Sequence, residues 1–106
     1  MPISITQENV EQYIKPGGKP VIVDVFATWC GPCQTMAPIF DALEKELGDQ
    51  YTFTKLNVDE ARELSIKYGV SSVPTFLFFK NGVVVGKEVG AMSKEDLLDA
   101  IGQYLK

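Results

Sequence analysis

The chain has 106 residues, of which 45% are hydrophobic and 23% are charged, and its formal net charge is −4. This length fits one compact domain, residues 1–106, built around one hydrophobic core. The ten basic residues are scattered among fourteen acidic ones, which argues against nucleic acid or an anionic membrane as the main partner. We therefore expect the partners to be proteins.

The sequence shows no targeting or membrane segment. No stretch approaches the roughly 20 apolar residues of a membrane span, and residues 1–6 lack the basic and apolar regions of a signal peptide. We expect a soluble protein of a reducing compartment, the cytoplasm. A processed chain that had lost a targeting segment would look the same, so an organelle stroma or matrix stays open.

The first two thirds of the chain alternate between strand-like and helix-like runs. Thr6 and Asp59 are candidate N-caps of two short helices, and Pro38 predicts a kink within the long helix. This alternation indicates parallel strands joined by helical crossovers. The runs in order are a short strand around Ile3 and Ile5, a helix with Val10, Tyr13 and Ile14 on its apolar face, a strand at 21–27, a helix at 34–47, a strand at 51–58 and a helix carrying Ala61, Leu64 and Tyr68.

The last third predicts a hairpin and a final helix. Two β-rich runs, 75–80 and 83–85, flank Asn81-Gly82, whose residue types favour the positive φ angles of a tight hairpin turn. Ser93, with Asp96 three residues later, can cap a helix with an apolar stripe. That stripe comprises Leu97, Leu98, Ile101 and Leu105. The predicted fold class is α/β, with a mixed central sheet of about five strands flanked by about four helices.

Both cysteines lie in the stretch Trp29-Cys30-Gly31-Pro32-Cys33, between the central strand and the long helix. Free backbone N–H groups and the helix dipole at such a helix start favour a thiolate at Cys30. Cys33, one turn later and facing inward, can attack a mixed disulfide formed by Cys30. The expected difference in exposure assigns the roles: Cys30 attacks and Cys33 resolves.

Other interpretations of the cysteines fit less well. A zinc or iron–sulfur site needs about four ligands, so a chain with two thiols would have to dimerise. The absence of histidine also excludes zinc-finger ligation and Cys–His catalysis. A structural disulfide remains open, although closing so short a loop stabilises a protein by only about 2 kcal/mol.

Asp24 is the one charged residue in a strand that is otherwise apolar on both faces. An ionised carboxylate there costs several kcal/mol without a partner, so we expect a raised pKa and a role as proton acceptor or donor. If its strand ends beneath the dithiol, Asp24 can deprotonate Cys33. A hydrogen-bonded or lysine-paired core acid explains this residue equally well.

The dithiol stretch resembles the active-site signature of the thioredoxin family, and the resemblance extends in order over essentially all 106 residues. Asp24 is similar to the buried acid of that family, Lys55 to its nearby lysine, and Val73-Pro74-Thr75 to its cis-proline loop. Gln34 and Phe26 depart from the lysine and tryptophan of many members. The resemblance implies a flat docking surface formed by Trp29, Gly31, Pro32, Val73, Pro74, Gly90 and Ala91.

The resemblance also implies a function, a protein dithiol-disulfide oxidoreductase that works as a redox-active electron carrier. It would reduce disulfides in client proteins through a redox-active Cys30–Cys33 disulfide, bind no cofactor or metal, and be recycled by a flavin-dependent or ferredoxin-linked thioredoxin reductase. We also expect a monomer. A net oxidant or isomerase is a rival within this chemistry, and a non-catalytic binding subunit that uses the same surface is a rival from another class.

Overall fold

The computed structural model describes residues 1–106. The elements in chain order are β1 (Ile3–Ser4), α1 (Val10–Tyr13), β2 (Val21–Phe26), α2 (Gly31–Leu47), β3 (Thr52–Asn57), α3 (Arg62–Lys67), β4 (Thr75–Lys80), β5 (Val83–Val89) and α4 (Lys94–Leu105). No helix combines the length and the apolar character needed to cross a lipid bilayer.

The five strands form one mixed sheet in the order β1-β3-β2-β4-β5. β3 pairs in parallel with β1 and with β2, as the helical crossovers predict, whereas β4 runs antiparallel to both β2 and β5. β2 is therefore the central strand, and its first five residues are buried. The predicted α/β architecture is confirmed.

The apolar core lies in two layers, one on each face of the sheet. Alternate residues of β2 supply both layers because successive side chains of a strand point to opposite faces. Ile22 packs in the layer that contains α2 and α4, and Val23 packs in the layer that contains α1 and α3. Asp24 lies on the same face as Ile22, beneath α2 and α4.

The long helix begins at the dithiol, ahead of the helix-like run at 34–47. It starts at Gly31 instead of Gln34, and Cys30 is its N-cap residue. Proline is well accommodated in the first turn because its missing N–H donor has no partner there, so Pro32 extends this helix toward its N-terminus. The helix also continues without interruption through Pro38.

The N-cap predictions have mixed outcomes. The Ser93 hydroxyl accepts a hydrogen bond from the Asp96 N–H at 3.0 Å, as predicted. The prediction for Thr6 is wrong in detail, because its hydroxyl accepts from the Asn9 N–H in a turn that precedes α1. The prediction for Asp59 is wrong, because Ala61 is the N-cap of α3 and no side chain caps it.

The predicted hairpin connects β4 and β5. Asn81 and Gly82 adopt φ angles of 58° and 80°, the positive values that this turn requires. At the C-terminus, Leu97, Ile101 and Leu105 of α4 are buried as predicted, whereas Leu98 is exposed and does not belong to the apolar stripe.

Tyr104 of α4 closes over β5 at Gly86. Its hydroxyl donates a hydrogen bond to Glu88 at 2.7 Å, and its ring packs 5.0 Å from the Phe78 ring between centroids. A Cβ atom at position 86 would overlap the Tyr104 ring. Glycine is therefore required here by the close approach of α4 to the sheet.

We predict that Gly86→Ala lowers the free energy of unfolding by about 1 to 3 kcal/mol, because the added methyl group must displace Tyr104 from its packed position. Gly102→Ala in α4 is the matched control, since its Cβ would meet only the far end of Lys106. We expect this control to stabilise the protein by about 0.5 to 1 kcal/mol, because alanine favours helix over glycine. Urea unfolding measures both changes, and equal effects of the two substitutions would contradict the packing argument.

Candidate active site

The strand register brings separate loops to one edge of the sheet. Val25, next to the end of β2, lies opposite Thr75 at the start of β4, and Thr75 also lies opposite Val89 at the end of β5. In the parallel pair, Phe26 lies opposite Asn57. The loops that follow β2, β3 and β5, and the loop that precedes β4, therefore meet at this edge.

The two cysteines form a disulfide in the first turn of α2, with their Cα atoms 5.3 Å apart. Cys30 is the N-cap residue, and its sulfur accepts a hydrogen bond from the Cys33 N–H at 3.2 Å. A side-chain acceptor at this position satisfies one of the free N–H donors of the helix start. The sequence prediction of a dithiol at a helix N-terminus is confirmed.

The exposure argument for the roles of the cysteines is wrong. Cys30 is 6% exposed and Cys33 is 4% exposed, so solvent access barely distinguishes them in the disulfide form. Both pack in a small cluster with Ala27, against Phe26 and Val73. What does distinguish them is hydrogen bonding, because only the Cys30 sulfur accepts an N–H donor.

The Val73-Pro74 peptide bond is cis, as the family resemblance implies. Val73 packs against the cysteine cluster, and its backbone N–H and carbonyl form no backbone hydrogen bond within the chain. The Gly90 N–H donates to the Pro74 carbonyl at 2.8 Å, which fixes the loop after β5 beside the proline. The loops of Val73, Pro74 and Gly90 thus meet beside the dithiol.

Trp29 is the most exposed aromatic residue of this edge, with 70% of its surface accessible. Its indole N–H donates to the Asp59 carboxylate at 3.0 Å. Asp59 therefore orients Trp29 instead of capping α3, a role that sequence spacing could not reveal because the two residues are 30 positions apart. Gly31, Pro32 and Ala91 are also exposed, and Pro74 is buried.

Asp24 is fully buried, and neither of its carboxylate oxygens has a hydrogen-bond partner. Burial raises the pKa of Asp24 to about 6; the positive charge of Lys55 opposes this rise and the negative charge of Asp41 adds to it. The sequence left open a hydrogen-bonded or lysine-paired acid. Asp24 has no hydrogen bond or ion pair, and Lys55 acts on it only through its charge.

A cavity of about 220 Å³ lies beside the dithiol and is lined by neighbours of Asp24, although Asp24 itself does not line it. Its lining includes Cys33, Phe26 and Lys55. Phe26 is two residues after Asp24 on the same face of β2, and Lys55 lies opposite Asp24 in the β2–β3 pairing. The Lys55 ammonium lies 4.8 Å from the centre of the Phe26 ring, so the two side chains make a cation–π contact.

Gln34, the other departure from the family pattern, joins the helix to the preceding loop. Its side-chain amide donates to the Thr28 carbonyl at 3.0 Å. Gln34 therefore places a neutral amide beside the dithiol, where many family members have a positively charged lysine. No group of three or more His, Cys, Asp or Glu side chains is arranged to hold a metal ion.

We predict that Asp24→Asn stabilises the protein at neutral pH. The pKa of the Asp24 carboxyl rises from 3.8 in the unfolded chain to about 6 in the folded protein, so the ionised form destabilises the fold. The penalty is about 2 to 3 kcal/mol at pH 7, since one pKa unit corresponds to about 1.4 kcal/mol. It decreases as the pH falls through 6 and vanishes below 3.8. Urea unfolding from about pH 4 to about pH 8 measures the difference.

Two neighbouring substitutions serve as controls for this pH dependence. Lys55→Met should raise the pKa of Asp24 further, and Asp41→Asn should lower it, because these charges act in opposite directions on the carboxylate. A stability difference between wild type and Asp24→Asn that stays constant over the whole pH range would contradict the assignment.

Comparison with known proteins agrees with this geometry. A family model described as Thioredoxin matches residues 1–103. The thioredoxin of Alicyclobacillus acidocaldarius is 42% identical over 104 residues, covering 98% of each chain. The thioredoxin of Buchnera aphidicola is 39% identical over 104 residues, covering 98% of this chain and 95% of its own. The chloroplastic M-type thioredoxin of Spinacia oleracea is 40% identical over 101 residues, which make up 95% of this chain and 56% of that protein. The chain therefore belongs to the thioredoxin family, with its mixed α/β fold and its dithiol-disulfide oxidoreductase activity.

Proposed function

We propose that this chain reduces disulfides in client proteins, with Cys30 as the nucleophile and Cys33 as the resolving thiol. The observation that supports these roles is the hydrogen bond from the Cys33 N–H to the Cys30 sulfur at the N-cap of α2. After reduction the same N–H can stabilise a thiolate on Cys30, together with the dipole of the 17-residue helix. Cys33 has no such donor on its sulfur.

The reaction proceeds through two exchange steps. The Cys30 thiolate attacks one sulfur of the client disulfide, so that a Cys30–client bond forms while the client S–S bond breaks and one client thiolate leaves. Cys33 then loses its proton and attacks the Cys30 sulfur, which forms the Cys30–Cys33 bond and releases the second client thiolate. Two electrons pass from the dithiol to the client, and the client thiolates take up protons.

Asp24 is our candidate acceptor for the Cys33 proton. Three observations support this role. Asp24 lies on the α2 face of β2, and its carboxylate is unpaired. Its neighbour Lys55 lines the cavity that also reaches Cys33. A carboxyl with a pKa of about 6 is partly protonated near neutral pH, so it can exchange protons in both directions. The proton would pass from Cys33 to Asp24 directly or through one water.

The client would dock in extended form across the dithiol. The unpaired backbone groups of Val73 can hydrogen bond to a peptide strand, in the way that a strand adds to a sheet edge. The rest of the docking surface is exposed or borders the dithiol, which supports contact with a protein client. This surface comprises Trp29, Gly31, Pro32, Val73, Pro74, Gly90 and Ala91.

Each turnover leaves a Cys30–Cys33 disulfide that needs a two-electron donor. We assign this step to a thioredoxin reductase, flavin-dependent or ferredoxin-linked, acting on the same edge of the sheet. The chain would then serve as an electron carrier between that reductase and its clients. A reducing compartment suits this cycle, and we assign the cytoplasm, because thiols persist there in reduced form.

The two cysteine variants test the assigned roles. We expect Cys33→Ser to accumulate a mixed disulfide with a client protein, because the first attack remains and the resolving thiol is lost. Cys30→Ser should form no such adduct and should reduce the client no faster than dithiothreitol alone. Mass spectrometry of the intact adduct and the rate of client reduction are the measurements. An adduct on Cys30→Ser and none on Cys33→Ser would reverse the two roles.

We predict that Asp24→Asn prolongs the life of the mixed disulfide by about tenfold to hundredfold at pH 7, since general base catalysis commonly contributes at least this much. Single-turnover kinetics of client reduction resolve this step from the first attack. Asp41→Asn is the control, because it removes an exposed carboxylate on α2 and only lowers the pKa of Asp24, so this variant should keep most of the wild-type rate. An unchanged lifetime in Asp24→Asn would assign the proton to another acceptor.

A further inference from the structure

The largest groove of the molecule lies beside the dithiol and has a volume of about 530 Å³. Its lining includes Trp29, residues of α3 and the loop 70–73. Trp29 and Ile66 are both large apolar residues with more than half of their surface accessible. Exposed apolar side chains that face one groove are typical of a site that binds another molecule.

Arg62 lines this groove from the first turn of α3, four residues before Ile66, so the two side chains share one face of that helix. It is the only arginine in the sequence, and it is exposed. The chain contains two ion pairs, neither of which involves Arg62, and its guanidinium forms no hydrogen bond to another side chain or to the backbone.

Two charged residues line the groove, Asp59 and Arg62. Asp59 already accepts the Trp29 indole N–H, whereas the guanidinium of Arg62 has all its donors free. Glu60 and Glu63 do not line the groove; they line an adjoining depression that shares Asp59 and Arg62 with it. Arg62 is therefore the one cationic donor that the groove offers to an incoming segment.

We propose that Arg62 makes this groove selective for client segments that carry an aspartate or glutamate a few residues from their reactive cysteine. This inference rests on the proposed function and narrows its substrate class. An apolar client residue would pack between Trp29 and Ile66, while the client carboxylate would bind the guanidinium of Arg62. Arginine suits this role because its planar fork pairs with both oxygens of a carboxylate.

The test uses disulfide-linked peptides in which glutamate, glutamine or lysine is placed in turn at each position around the cysteine. The measured quantity is kcat/KM for their reduction by wild type, Arg62→Gln and Arg62→Glu. At one position we expect wild type to prefer glutamate over lysine by about threefold to tenfold, since attraction and repulsion both enter this ratio. The preference should vanish in Arg62→Gln, reverse in Arg62→Glu, and weaken as the salt concentration rises.

Lys67→Gln is the matched control, because it removes one positive charge from the same helix at a residue that does not line the groove. We expect it to keep the wild-type preference, which separates a contact at Arg62 from a change in net charge. The proposal would be overturned if the glutamate-to-lysine ratio of kcat/KM were equal in wild type and Arg62→Gln at every peptide position. A wild-type preference for lysine peptides, as expected if Asp59 bound the client, would also overturn it.

The failure of the proposed function can be told apart from the failure of this inference. Reduction of hydroxyethyl disulfide, which is too small to reach the groove, is measured for wild type and Lys67→Gln. If wild type reduces this compound and the peptides without any dependence on Arg62, the selectivity is refuted and the oxidoreductase function stands. If wild type reduces neither, both are refuted.

Discussion

The pairing of β2 with its neighbours is the constraint on which the site depends. The antiparallel register of β2 with β4 sets Val25 opposite Thr75, and this brings the segment before β4 to the end of β2 where the dithiol lies. A slip of that register by one residue would move every side chain of β4 to the opposite face of the sheet. Burial on both faces specifies the register, so the hydrophobic core also fixes the position of Val73 against the two cysteines.

Burial has opposite consequences for the fold and for Asp24. The apolar layer that packs around Ile22 stabilises the fold, and the same layer denies Asp24 any hydrogen-bond partner. The carboxylate is therefore held in a high-energy ionised state that favours proton uptake. The cost of an unpaired charge and the supply of a proton acceptor have the same physical cause, which is the apolar packing around Asp24 under α2.

Local patterns were enough to predict most of the fold and the dithiol. Hairpin residues such as Asn81-Gly82 and the N-cap Ser93 specify their structures through neighbours in sequence, and a strand apolar on both faces indicates its central position. Contacts between distant residues could not be predicted in this way. The indole of Trp29 binds Asp59 across 30 positions, and this contact overrides the local preference of aspartate for a helix N-cap. The unpaired position of Arg62 also depends on how α3 packs against the sheet.

β5 is an edge strand of the sheet, because it pairs only with β4. Val83, Val84, Val85 and Val89 are exposed along it, a composition that favours pairing with strands of other molecules. The register shift between Phe78 and Phe79 and the charged residues 87–88 interrupt this run. Interruptions of this kind hinder the addition of a foreign strand, so they protect this edge of the sheet from aggregation with other chains.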